Sequence, residues 1–233
     1  MNKSAFRFKQ FYIDQDQCAM KLGMDACVFG AWMNGGEPVL DVGTGTGILA
    51  LMAAQRFPNT SIDAIELDEK ACDQAAGNFA HSPWKQRLKA IQCDFKQYST
   101  TVKYEHIISN PPYFVDSLKS DDVERNQARH DDSLPLKEFF TQSKFLLTAG
   151  GKVSLIFPAH DPRLPQLALE QGFFVHRKCS LLPNPGKEAE RTMWEFGLKP
   201  GEFEESTLVL ESHIGRRLSL AAWKLLNEFY LEL

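Results

Sequence analysis

Val39-Leu40-Asp41-Val42-Gly43-Thr44-Gly45-Thr46-Gly47 decides the reading of this 233-residue chain. A short apolar run, introduced by Glu37-Pro38, ends in glycines at alternate positions, and Ile48 to Phe57 continues as an apolar, Ala-rich stretch stopped at Pro58-Asn59. Strand, glycine turn and buried helix form the opening unit of an α/β sheet. Working outward, Ser61 to Leu67 predicts a second strand, and Asp68 caps a helix from Glu69 to Phe79. Arg87 to Cys93 and Tyr104 to Ser109 predict two more strands. Leu134 to Leu147 reads as a helix with Pro135 in its first turn, closed by Gly150-Gly151. Strands are expected at Lys152 to Phe157, Phe173 to Ser180 and Arg191 to Leu198, with a short helix at Leu164 to Gln171 between the first two. Leu218 to Leu231 has the helical spacing of a packing helix. The expectation is a seven-stranded, mostly parallel, doubly wound sheet with helices on both faces and an antiparallel last strand.

Composition narrows the classes. With 26 Lys+Arg against 30 Asp+Glu the net charge is −4, and 43% of residues are hydrophobic, as in ordinary globular proteins. No apolar stretch approaches the roughly 18 residues of a membrane span. The start, MNKSAFRFKQFYID, has no apolar core of a secretory signal, so a cytoplasmic chain is expected. The five cysteines (18, 27, 72, 93 and 179) are odd in number and lack a C-x-x-C pair. They read as reduced thiols, not as a disulfide frame or a zinc site. The mild acidity argues against non-specific coating of nucleic acid but leaves room for a local basic patch.

The glycine turn sits where open α/β sheets bind ligands. It departs from a dinucleotide fingerprint, because its third glycine comes one residue early. It also lacks the lysine of a P-loop, and Asp41 would meet a pyrophosphate badly and a cation well. Glu66, 19 residues after Gly47, stands at the end of the second strand, where an acid can accept from both hydroxyls of a ribose. Asp94 follows the third strand and can accept from an adenine amino group, with Phe95 or Ile65 flanking the ring. Taken alone, the turn is equally a tight βα connection and the acids equally helix caps. Their joint spacing fits a ligand with ribose, adenine and a positive region, which describes S-adenosylmethionine better than NAD.

The fourth strand ends in Asn110-Pro111-Pro112-Tyr113. Two prolines fix φ and leave outward carbonyls. The Asn110 side-chain oxygen and the Pro111 carbonyl can then accept both hydrogens of one planar NH₂, while Tyr113 offers a face for stacking. In isolation the tetrapeptide is a rigid turn; 69 residues beyond Asp41, on the same side of the same sheet, it becomes an amine clamp.

DVGTGTG, IELD and NPPY, in this order, resemble class I S-adenosylmethionine-dependent methyltransferases of the amino-methylating N-P-P-Y group. Phe8 to Phe11, Cys18 to Asp25, Gly30-Ala31-Trp32, Arg125 to Asp131 and Phe229-Tyr230-Leu231 are similar to the family that methylates the adenine beside the anticodon of a valine tRNA. The resemblance implies one Rossmann-like methyltransferase unit over residues 37–233, with a segment of residues 1–36 closing over the cofactor. It implies a cofactor site of Asp41, Gly43, Gly45, Gly47, Glu66, Leu67, Asp94 and Phe95, closed by Lys21, Gly23 and Asp25. It implies catalysis by Asn110, Pro111, Pro112 and Tyr113 on a tRNA base. Candidate RNA contacts are Lys3, Arg7, Lys9, Arg125, Arg129, His130, Lys187 and Arg191. No metal, no membrane and no obligate protein partner are expected, and the chain is read as a monomer. The competing readings are methylation of a protein glutamine amide or of a guanine amine in ribosomal RNA, and a non-catalytic subunit that binds the donor. Some 37 residues before the first strand leave no room for the helical domain that usually accompanies the glutamine enzymes.

Overall fold

The computed structural model describes residues 5–18, 21–111, 136–212 and 217–231. A small hairpin of β1 (Phe6–Arg7) and β2 (Tyr12–Ile13) precedes helix α1 (Met24–Trp32). The decisive stretch then forms β3 (Val39–Val42), buried along its whole length, and passes through left-handed Gly43, Gly45 and Gly47 into helix α2 (Ile48–Arg56). β4 (Ile62–Glu66), helix α3 (Glu69–Ala80), β5 (Leu88–Gln92) and β6 (Tyr104–Ser109) follow within a residue or two of expectation. Asp68 caps α3 by accepting from the Ala71 amide at 2.8 Å.

After β5 the chain crosses back over β4, so that β3 pairs in parallel with β4 on one side and with β6 on the other. Helix α4 (Leu136–Leu146), β7 (Leu147–Pro158), helix α5 (Arg163–Glu170), β8 (Phe174–Leu182), β9 (Arg191–Gly197) and β10 (Glu204–Val209) complete the sheet, whose order is β10-β8-β9-β7-β6-β3-β4-β5. β9 is antiparallel to both β7 and β8, and β10 returns parallel to β8. Among the described residues the sheet has eight strands rather than seven; the strand read from Arg191 to Leu198 is antiparallel as expected, and β10 follows it in the chain. β10 escaped the sequence reading because only Leu208 of its six residues is buried, leaving no apolar run.

The two faces are covered by alternate residues of the strands. Val39, Ile108 and Ile156 pack beneath α1, α2 and a short helix α6 (Leu220–Leu226), while Leu40, Ile107 and Leu155 pack beneath α4 and α5. Two boundaries differ for physical reasons. Gly150-Gly151 do not close a helix; they lie within β7, where a Cβ on Gly151 would stand 2.9 Å from the Tyr104 carbonyl, at the register shift between β6 and β7. The tail helix covers only Leu220–Leu226, after which Phe229 enters the core and Tyr230 bridges to Phe8.

Gly47 combines both demands on the turn: φ is 83°, and a Cβ there would lie 2.5 Å from Phe79 Cε1 on α3. Gly47→Ala is expected to lower stability by about 2 kcal/mol or more, since the left-handed conformation alone costs roughly 1–2 kcal/mol. Urea unfolding checks this, and adding Phe79→Leu should recover the steric part only.

Candidate active site at the carboxyl edge of the sheet

The winding reverses between β3 and β6, and in open α/β sheets ligands bind in the crevice outside such a switch point. Val42 is registered against Ser109, and the Ser109 hydroxyl donates to the Val42 carbonyl at 2.7 Å. Gly43 and Asn110 consequently leave adjacent strand ends side by side, with Pro111 following; Pro112 and Tyr113 lie outside the described residues.

In the turn itself, the Gly43 and Thr44 amides donate to the Ile65 carbonyl at 2.8 and 3.0 Å, the Gly47 amide to Thr44, and the Gly45 amide to Glu66 Oε2 at 2.8 Å. Amides occupied in this way do not form a phosphate cradle. A Cβ placed on Gly43 or Gly45 would meet nothing within 4 Å, so the turn presents bare backbone to open space. Glu66 is aimed by its surroundings, because Oε1 also accepts from the amides of Leu67 (2.8 Å) and Asp68 (3.1 Å). A carboxylate has about four acceptor positions, and three amides leave Oε2 one free for a hydroxyl.

Asp41 is fully buried beneath the turn. Its Oδ2 accepts from the Thr44 hydroxyl at 2.6 Å, while Oδ1 has no hydrogen-bond partner among the described residues. Burial pushes its carboxyl from 3.8 up to about 7; the Thr44 hydroxyl and the Ala50 amide oppose this, and the charge of Glu66 adds to it. A cationic ligand on the turn meets Asp41 as a field through the backbone. This orphaned oxygen, the bare glycines and Glu66 together fit a ligand carrying an ammonium and a ribose.

The remaining expected residues divide. Asp94 caps the single turn at Phe95–Gln97 by accepting from the Lys96 amide at 2.9 Å, and keeps its other oxygen 3.8 Å from the Lys96 ammonium. Phe95 and Ile65, expected to flank a ring, are both buried, Phe95 against Phe139, while Leu67, next to Glu66 in the chain, is 55% exposed. Lys21 and Gly23 are exposed ahead of α1, with Gly23 at its N-cap. Asp25 is 3.3 Å from Arg191, so a residue expected at the cofactor and one expected at the RNA hold each other. Burial nevertheless leaves the Asp25 carboxyl raised, against the pull of Arg191. Lys9 is likewise engaged, its ammonium donating to the Asn227 carbonyl in the tail. Arg7 and Lys187 are exposed on β1 and on the β8–β9 loop. Lys3, Arg125, Arg129 and His130 lie outside the described residues. No group of three or more potential metal ligands occurs among the described residues.

Sequence reasoning passed over two side chains on α3. Asn78, buried, accepts from the Asp14 amide (2.9 Å) and donates to the carbonyls of Asp14 (3.0 Å) and of Thr46 in the glycine turn (2.8 Å). Gln74, one helical turn earlier, accepts from the Gln17 amide at 2.8 Å. They tie residues 14–17 down beside the turn. The Cys18 thiol is pushed up to about 11, first by burial and then by the charges of Glu66, Asp68 and Asp16. The readable signal was a polar pair four residues apart on a helix stripe shared with Ala71 and Ala75.

A mostly parallel sheet reversing at a glycine turn, with an acid at the end of the next strand, defines the class I methyltransferase fold, and solved structures share it. A predicted O-methyltransferase of Agrobacterium tumefaciens superposes with a TM-score of 0.65 at 16% identity, covering 88% of this chain and 96% of that one. A glycopeptide N-methyltransferase gives 0.52 at 13% identity, covering 72% and 85%. The methyltransferase small domain family matches residues 32–178. Over their full lengths, the tRNA1(Val) (adenine(37)-N6)-methyltransferases of Bacteroides fragilis strain YCH46 (39% identity, 100% of both chains) and Tolumonas auensis (40%, 100% of this chain and 99% of the other) are similar to it. The chain belongs to this methyltransferase family.

Two outcomes test the site. The folded Asp41 value lies above the unfolded one, so its contribution to stability is fully present below about 3.8 and lost as pH rises through about 7. A bound cation favours the ionised form, so affinity for S-adenosylhomocysteine should rise several-fold from about pH 6 to about pH 7.5, and Asp41→Asn should flatten that rise in calorimetry. Asn78→Ala, which strands three backbone groups, should cost roughly 2 kcal/mol of stability. Limited proteolysis within residues 14–18 should accelerate in that variant.

Proposed function

We propose that this chain transfers a methyl group from S-adenosylmethionine to the exocyclic N6 of an adenine in tRNA, adenine 37 beside the anticodon of a valine tRNA. The observation that carries this reading is the register of Val42 against Ser109, which sets the head of the Asn110-Pro111 pair beside the bare glycine turn. When bound, S-adenosylmethionine supplies an electrophilic methyl on a sulfonium.

The chain's residues do the rest. Gly43 and Gly45 admit the amino-acid end of the donor against their backbone, with the Asp41 charge beneath. Glu66 accepts from one ribose hydroxyl through its free acceptor position, Asp94 accepts from the adenine amine, and Leu67 covers the ring. Residues 14–18, fixed by Asn78 and Gln74, together with Lys21 to Asp25, form the wall over this half of the site. On the other side, the Asn110 oxygen and the Pro111 carbonyl accept both hydrogens of the target amine and turn its lone pair toward the methyl. Pro112 stiffens that turn and Tyr113 stacks on the base. No base is needed before transfer, because the nitrogen becomes acidic only afterwards, so the rate gain comes from positioning.

A target in an anticodon loop needs little unstacking to enter such a pocket. Both halves of the site come from one chain, which needs no partner subunit and works as a monomer in the cytoplasm. No helix among the described residues is long and apolar enough to cross a membrane.

Incubation with labelled methyl donor and total cellular RNA, followed by nucleoside analysis, should place label in N6-methyladenosine of one valine tRNA. Label in a guanine or in a protein glutamine would overturn the assignment. Asn110→Ala should lower kcat roughly 100-fold or more while leaving the affinity for S-adenosylhomocysteine within about twofold of wild type.

A further inference from the structure

The carboxyl edge of the sheet continues well past Asn110. β8 and β10 run in the same direction as β6, so Leu182 and Val209, registered against each other, leave the sheet on the rim that carries the amine clamp. The chain beyond β10 is fastened there. The Leu210 and Glu211 amides donate to the Leu182 and Pro183 carbonyls at 2.8 and 3.0 Å, and Glu211 bridges to Leu218. Ser219 secures the return: its amide donates to Leu210 at 2.8 Å, its hydroxyl to Val209 at 2.6 Å, and it caps α6 by accepting from Ala222.

This fastening fixes an open cleft of about 480 Å³ lined by Arg217, Leu218, Leu220 and Trp223. The helical spacing of the tail predicts that its large apolar residues pack inward. Ala222 and Leu226 do so, but Leu220 is 68% and Trp223 42% exposed. The other tryptophans have neighbours: Trp32 lies under the Arg177 guanidinium at 4.2 Å, Trp84 meets Phe11 at 5.7 Å and Trp194 stacks with Phe196 at 6.0 Å. Arg217 is exposed and makes no ion pair with a described residue, and Lys224 is exposed one position beyond Trp223.

We propose that this cleft is a second nucleotide site, in which an unpaired base of the RNA substrate stacks on Trp223 while Arg217 meets the adjoining phosphate. The proposal rests on the tRNA-methylating function given above. Three features favour RNA over a second protein as the occupant. The charge beside the indole is cationic, as a phosphodiester requires, and a base–aromatic stack accepts any sequence. The chain that lines the cleft is also tied, through Ser219, to the end of β10 on the rim bearing Asn110. β6 and β10 are four strand positions apart, about 19 Å at about 4.8 Å per strand, a span that a few nucleotides of an RNA loop cover. A base held there sets the register in which its neighbour reaches the clamp.

The test uses the full chain and an unmodified valine tRNA transcript, with RNA affinity read by anisotropy and turnover read separately. Trp223→Ala should weaken RNA binding and raise the KM for tRNA about tenfold, with kcat at saturating RNA and S-adenosylhomocysteine affinity within about twofold of wild type. Trp223→Phe should restore most of the loss. Arg217→Gln should weaken binding and reduce the slope of log Kd against log salt by about 1. Wild-type RNA affinity in Trp223→Ala would overturn the site whether or not the protein methylates tRNA. Wild-type self-association that Trp223→Ala abolishes in sedimentation would also overturn it, marking a contact between copies. Failure of the wild type to methylate tRNA at all would instead overturn the functional assignment, because the binding comparison stands apart from turnover.

Discussion

The parallel pairing of β3 with β6 is the constraint from which the site follows. These strands are separated in sequence by three crossovers, and their hydrogen bonding aligns Val42 with Ser109. Once that register is set, Gly43 and Asn110 have no other place to go than the same crevice. The Ser109 hydroxyl on the Val42 carbonyl ties the two strand ends at the last residue before they diverge. A one-residue slip would turn the side chains of β6 to the wrong faces and move Asn110 along the rim. Burial of both faces makes such a slip costly, since Ile107 and Ile108 belong to opposite halves of the core.

That same packing creates the electrostatic tension in the turn. Asp41 alternates with Leu40 and Val42, which places its carboxyl under the N-terminus of α2, out of reach of water. Thr44 satisfies one oxygen only. An apolar residue of similar size would stabilise the empty fold better, because an unpaired buried acceptor costs roughly 1–3 kcal/mol. A carboxylate kept at that cost beneath bare glycines has its natural counter-charge above them. Glu66 differs in kind. Three amides compensate it before any ligand arrives, so its role is geometric, and its aim depends on the same Gly45 that leaves the turn open.

Much of this was legible in the sequence, wherever local pattern and final burial agree. β6 falls on Tyr104–Ser109 as read, and the Asp68 cap forms as expected. What the sequence did not disclose is a residue's partner far away along the chain. Arg191 and Asp25 were separately plausible as ligand contacts, yet 166 positions apart they pair with each other. Lys9 met the tail, Phe95 met Phe139, and Gly151 served the backbone of Tyr104 instead of ending a helix. β10 carries almost no hydrophobic signal because it is an edge strand stitched on by backbone hydrogen bonds to β8. Asn78 looked like a helix residue near a C-terminus; only the fold brings Asp14 and Thr46 to its two ends.

An enzyme that joins a cationic donor to a polyanionic acceptor must keep two opposite electrostatic demands apart, and this sheet does so by strand order. Asp41, Glu66 and Asp94 follow or end β3, β4 and β5, the half of the rim on one side of the switch point. Lys187, Arg191 and Arg217 stand around the ends of β8, β9 and β10 on the other half, interspersed with Glu188, Glu190 and Glu211 and, against Arg191, with Asp25. Asn110 and Pro111, which are uncharged, stand at the divide. The acids on the donor side repel a phosphate backbone, whereas the other side offers cations that can each meet a phosphate, so the acceptor approaches the neutral clamp from that side. A net charge of −4 is compatible with RNA binding on these terms, because what matters is where the charges stand on each side of Asn110 rather than their sum over the molecule.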